Sequence, residues 1–144
     1  MSDTRRWLAA LALAGVLYAI TGVTFSALSR DAGSDTARSL SRLGAWAISA
    51  IVYAAHIAWE QLSRRRRPVV TAWHAALGVA LGAFLLAVAA TVHSLQTPGA
   101  HVRSILIALP VWPVLTGLPA FLVAWAAAAA LTLVRPSGAP LSPA

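Results

Sequence analysis

Four polar side chains recur at helical spacing within one apolar stretch. Ser49, Tyr53, His56 and Glu60 stand at i, i+4, i+7 and i+11, so a helix would carry them on one face. An imidazole one turn from a carboxylate can share a hydrogen bond with it. It can also exchange protons near neutral pH. Ionisable groups inside an apolar segment are costly, which makes this stripe the first candidate for a proton-exchange or ligand site. Glu60 is the only glutamate in the chain. A simpler use for it is pairing with the nearby Arg64, Arg65, Arg66 and Arg67 at a membrane surface. His74 opens the next apolar segment from the same side and is placed to approach His56.

Two facing histidines suit three chemistries: axial ligation of a haem iron, a metal pair, or a proton relay. Against haem, no second histidine pair lies toward the far ends of the segments, where only His93 and the loop residue His101 occur. Two histidines and one glutamate could be counted as a zinc set, but no HExxH or similar spacing is present. Asp3, Asp31 and Asp35 fall in tails or loops, so no Ser–His–Asp set forms. There is no phosphate-binding glycine loop and no dinucleotide fingerprint. The sequence therefore predicts no enzyme, no catalytic residues, no metal site and no resident cofactor, with haem on His56 and His74 as a minor alternative.

The composition decides what positions these residues. Of 144 residues, 59% are hydrophobic and 10% charged, whereas a soluble domain carries about 25% charged residues. Such a chain cannot cover a water-facing surface. It has no cysteine, hence no disulfide or thiolate, and no lysine; all eleven basic residues are arginine. The formal net charge of +7 raises nucleic acid as a partner. However, the arginines cluster at the ends of apolar segments, where topology and anionic headgroups account for them. The Ala- and Arg-rich, Lys-free composition suggests a bacterial source.

Four segments are long enough to span a bilayer, which takes about 20 apolar residues: 7–28, 40–62, 72–95 and 105 to about 134. Helices are the expected form, because lipid offers no partner to free backbone groups. The first segment follows two arginines as a signal peptide would, but its apolar run is long, and it is expected to be retained. Arg5, Arg6, Arg64–Arg67 and Arg135 share one side. Arg30, Arg38, Arg42 and Arg103 share the other with Asp31 and Asp35. The positive-inside rule then puts both termini and the Arg64–Arg67 loop in the cytoplasm. Arg64 to Arg67 serve as a topology signal, or more sharply as an electrostatic contact for lipid or an acidic partner.

All six tryptophans fall into pairs 66 residues apart: Trp7 with Trp73, Trp46 with Trp112, and Trp59 with Trp125. Interfacial preference explains tryptophan near segment ends, but not three equal offsets. The expected fold is all-α, an integral-membrane four-helix bundle of two parallel two-helix repeats, 7–62 and 73–128, related by a pseudo-two-fold axis along the membrane normal. Residues 136–144 are expected to form a flexible tail. Gly15, Ala19, Gly22 and Ser26 form a small-residue stripe, and Gly78 and Gly82 a GxxxG pair, both suited to close helix packing within the chain or between chains. Pro110, Pro113 and Pro119 predict a kink or break in the last segment.

The second unit has Leu115, Pro119, Leu122 and Ala126 where the first has its polar stripe. Val52 to Trp59 reads VYAAHIAW ahead of the arginines, and Gly117 to Trp125 reads GLPAFLVAW at the same place in unit two. Together these segments resemble an uncharacterised bacterial family of polytopic membrane domains. That family is built from tandem two-helix units with a Gly-Pro-aromatic-His-Trp pattern before an Arg-rich loop. Unit one lacks the Gly-Pro and unit two the His. The resemblance covers most of the chain, implies a polytopic membrane protein and brings no activity with it.

The function expected is that of an accessory, assembly or interaction subunit of an inner-membrane complex. Its partners would be the lipid bilayer and other membrane subunits or further copies of itself. A small oligomeric channel or transporter using the stripe of the second segment is the alternative, and a haem-binding or redox membrane protein the next.

Overall fold

The fold was analysed in a computed structural model that describes residues 3–96 and 102–134, with side chains from 4 to 96 and from 106 to 134. The expected tail 136–144, His101, Arg135 and the Arg103 side chain lie outside these. The described residues form four helices and no strand: α1 (Asp3–Arg30), α2 (Asp35–Arg64), α3 (Pro68–Leu95) and α4 (Val102–Val134). At 28 to 33 residues each is about 42–50 Å long, more than the roughly 30 Å of a bilayer core. All four are long and apolar enough to cross a membrane.

Local chemistry sets the helix ends. Ser34 caps α2, its hydroxyl accepting from the Ala37 amide at 3.2 Å, while Asp35 sits in the positive first turn. The arginine run is a tight turn rather than a loop. Arg64 ends α2, Arg65 takes the left-handed conformation at φ 48°, Arg67 is the N-cap of α3, and Pro68 is its first residue. Proline is favoured there because its missing amide would be unpaired anyway.

Of the kink or break expected at the prolines, the break is absent. α4 runs unbroken through Pro110, Pro113 and Pro119. By position, these prolines deprive the carbonyls of Leu106, Leu109 and Leu115 of their amide donors. The Thr116 hydroxyl donates to the carbonyls of Trp112 and Pro113 within this stretch, at 2.9 and 3.2 Å. Packing on α2 and α3 holds the helix together where propensity alone would end it.

The helices form a rhombus. α2 and α3 touch across the short diagonal, and each also packs on both α1 and α4, whereas among the described residues α1 and α4 do not touch. A strict two-fold between the sequence units would require an α1–α4 contact to match the α2–α3 one, so the two halves are not packed alike. α3 is the central element: 28% of its apolar window is buried, against 6% in each of the others. Glycine makes this closeness possible. A Cβ on Gly82 would stand 2.8 Å from the Gly15 carbonyl oxygen and 2.6 Å from the Tyr18 ring. One on Gly15 would meet Leu81 at 2.9 Å. The small residues of α1 and α3 thus face each other within one chain. The apolar core (Ile57, Ala72, Ala75, Ala124 and Ala128) joins α2, α3 and α4 near the arginine turn.

Candidate functional site

The buried polar groups collect beside that core. Glu60 and Gln61 in the last turns of α2 are 1% and 0% exposed, and Thr71 in the first turn of α3 is 0% exposed. The hairpin turn brings them together. His74 Nδ1 lies 2.8 and 2.9 Å from the two carboxylate oxygens of Glu60. A single proton joins Nδ1 to the carboxyl group. Gln61 Nε2 donates to Thr71 Oγ1 at 2.9 Å. The Trp7 ring covers the His74 ring at a centroid distance of 4.6 Å, bringing α1 into the cluster. The result is a double polar clasp between α2 and α3, lidded by tryptophan. Such bonds inside an apolar bundle fix helix register, because each partner left alone would be costly.

Two expectations about Glu60 and His56 change here. Glu60 bonds His74 across the turn rather than His56 one turn below it. His56 makes no hydrogen bond at all among the described residues, and its Nε2 is buried without a partner. Its ring lies 6.4 Å from that of Trp59. It does face inward, on a small cavity of about 20 Å³ shared with Tyr18, Thr21, Ser49 and Tyr53. A space of that size holds about one water molecule and cannot take a macrocycle. With the Trp7 ring against His74 and only this small space at His56, the packing leaves no room for a haem between the two histidines. The described residues also contain no cluster of three or more metal-binding side chains.

The stripe of α2 thus splits into two uses. Ser49, Tyr53 and His56 line the cavity, and the Tyr53 hydroxyl also donates to the Ala120 carbonyl of α4. Glu60 belongs to the clasp. Of the arginines, Arg64 stacks its guanidinium over Trp59, 4.8 Å from the ring centroid, a cation–π contact that anchors the turn. Arg65 and Arg67 are exposed. Reading the sequence missed Gln61, Thr71, Tyr18 and Thr21. For the clasp a signal existed: in an antiparallel hairpin, positions equally far from the turn face each other, and residues 60 and 74 are equally far from residue 67.

Chemically, the clasp holds a proton between imidazole and carboxylate, and the cavity offers one water-sized polar space. Neither presents a nucleophile to an incoming substrate. No family model, curated protein or solved structure matches this chain.

Proposed function

We propose that this chain is a multi-pass protein of the bacterial inner membrane that serves as an accessory or assembly subunit of a larger membrane complex. The observation that carries this reading is the use made of its interior polar groups. Glu60, Gln61, Thr71 and His74 are spent on holding helices together, and the polar stripe opens only on a cavity of about 20 Å³. A single chain built this way has no wide path along its polar stripe and has apolar outer faces, with Trp46 79% exposed. Those faces suit lipid and neighbouring subunits. In this reading both termini and the arginine turn are cytoplasmic, by the distribution of arginine. The chain is an ancient duplication of a two-helix unit: α1 and α3 have 28 residues each, in keeping with the 66-residue tryptophan offset.

Purification from native membranes in mild detergent tests the function. A stoichiometric partner is expected. A homo-oligomer enclosing a wet path would overturn the reading in favour of a channel. Cysteines introduced at Ser34 and Ser137 should label from opposite sides; labelling from one side would sink the topology.

One observation favours a second reading, a transporter or proton-exchanging subunit: the partnerless His56 Nε2 at the cavity. An imidazole there could take a proton from bound water. Under that reading His56→Gln folds normally and abolishes function, whereas a structural His56 tolerates the amide.

A further inference from the structure

At the end opposite the arginine turn, two cavities flank the last turns of α1. The first, about 510 Å³, lies between α1 and α2 and is lined by Phe25, Ser29, Arg30, Arg38, Arg42 and Trp46, among others. The second, about 710 Å³, lies in the gap between α1 and α4, with α3 as its floor. Its wall is apolar at Val23, Leu86, Ala90 and Trp112 and polar at Arg30 and His93. Gly22, Ser26 and Arg30 belong to both. No carboxylate lines either one among the described residues.

The three guanidiniums are differently committed. Arg38 is paired with the exposed Asp35 at 2.8 Å and donates to the Ser29 carbonyl at 3.4 Å. Among the described residues, Arg30 makes only a long contact, 3.5 Å, to Ser26 Oγ, and Arg42 makes no hydrogen bond or ion pair. It sits eight residues into α2 from the Ser34 cap, about 12 Å along the axis, where the headgroup layer gives way to acyl chains. A guanidinium at that depth needs an anion or water drawn to it.

We propose that these cavities form one binding site for an anionic phospholipid. The phosphate is held by Arg30 and Arg42, and an acyl chain lies in the groove between α1 and α4. The charge on the rim fits a phosphodiester, for which a planar guanidinium is the preferred donor. The apolar groove running inward from Arg30 distinguishes a lipid from a free phosphate ion, which would gain nothing from Val23, Leu86, Ala90 and Trp112. The described residues of α1 and α4 do not touch across this gap, so an entering chain displaces no contact between them. Trp46 lines the first cavity and Trp112 the second, adding aromatic surface against which a lipid can pack.

The site rests on the membrane reading, which resistance of the native protein to carbonate extraction tests separately. To test the site itself, the full chain is delipidated in detergent and offered phosphatidylglycerol, phosphatidylcholine or inorganic phosphate, with retention read by native mass spectrometry. Phosphatidylglycerol is expected to be retained over phosphatidylcholine. R30Q/R42Q is expected to weaken its retention on the order of tenfold, with an unchanged thermal midpoint. Ala90→Trp, which fills the groove and leaves the charges, is expected to weaken it as well. Equal retention of the two lipids, or wild-type retention by either variant, overturns the proposal. So does an equal loss in R64Q/R65Q, which would mark general surface attraction, or displacement of the lipid by inorganic phosphate, which would mark a free-anion site.

Discussion

The two ends of the bundle handle polarity in opposite ways. Around the arginine turn, α2, α3 and α4 close on an alanine core, Glu60 is bonded to His74 and Gln61 to Thr71, and all but the partly exposed His74 are buried. At the other end the helices splay around two large cavities, and Arg30 and Arg42 are left for something outside the chain. The first end therefore sets stability and register. The second sets what the chain can bind. A charge inside an apolar assembly is informative in either case, but only its partner tells which case applies.

The sharpest way to break this contrast is at the clasp. His74→Ala leaves the Glu60 carboxylate buried and unpaired, so the protein should lose about 3 kcal/mol, read from unfolding in detergent. An unchanged midpoint would mean that the clasp is ornamental. Next comes the α1–α3 seam: Gly82→Ala forces a methyl group to within 2.8 Å of the Gly15 carbonyl oxygen and should cost about 2 kcal/mol. If that variant is as stable as wild type, α1 is not seated as described. Tyr53→Phe removes the bond to the Ala120 carbonyl and should cost about 0.6 kcal/mol, the average for such bonds in membrane bundles; a double-mutant cycle with α4 can isolate it. Smallest of all, Arg42→Gln at the open end should change stability by less than about 0.5 kcal/mol. A larger loss would show that Arg42 supports the fold, and the contrast between the ends would fail.

Much of this architecture was legible in the sequence because lipid-spanning helices have a length requirement that apolar runs reveal directly. The glycines of α1 and α3 were legible too, since close helix approach needs small residues wherever it occurs. Partner choice was harder to read. A helical period shows which residues share a face of one helix, so Glu60 was matched with His56 on its own helix. Its actual partner, His74, is set by the turn geometry between helices. Thr71 and Gln61 were missed for the same reason, and Tyr18 and Thr21 because the cavity they line exists only once α1 and α2 are packed. At the prolines of α4 the local rule allows a kink or a break; the helix is not broken, and it packs on both α2 and α3.

The clasp also has a consequence in time. Glu60 is synthesised before its partner, and a carboxylate waiting alone in an apolar setting invites the wrong partner. The separation from His74 is 14 residues, and chains elongate at about 5–20 residues per second, so the wait is about a second. Gln61 waits for Thr71 over only 10 residues. The Tyr53–Ala120 bond spans 67 residues, but a hydroxyl can wait longer because it can turn to a carbonyl of its own helix. The most costly group in the chain is thus matched with the nearest available relief, and the hairpin of α2 and α3 can be complete before α4 leaves the ribosome.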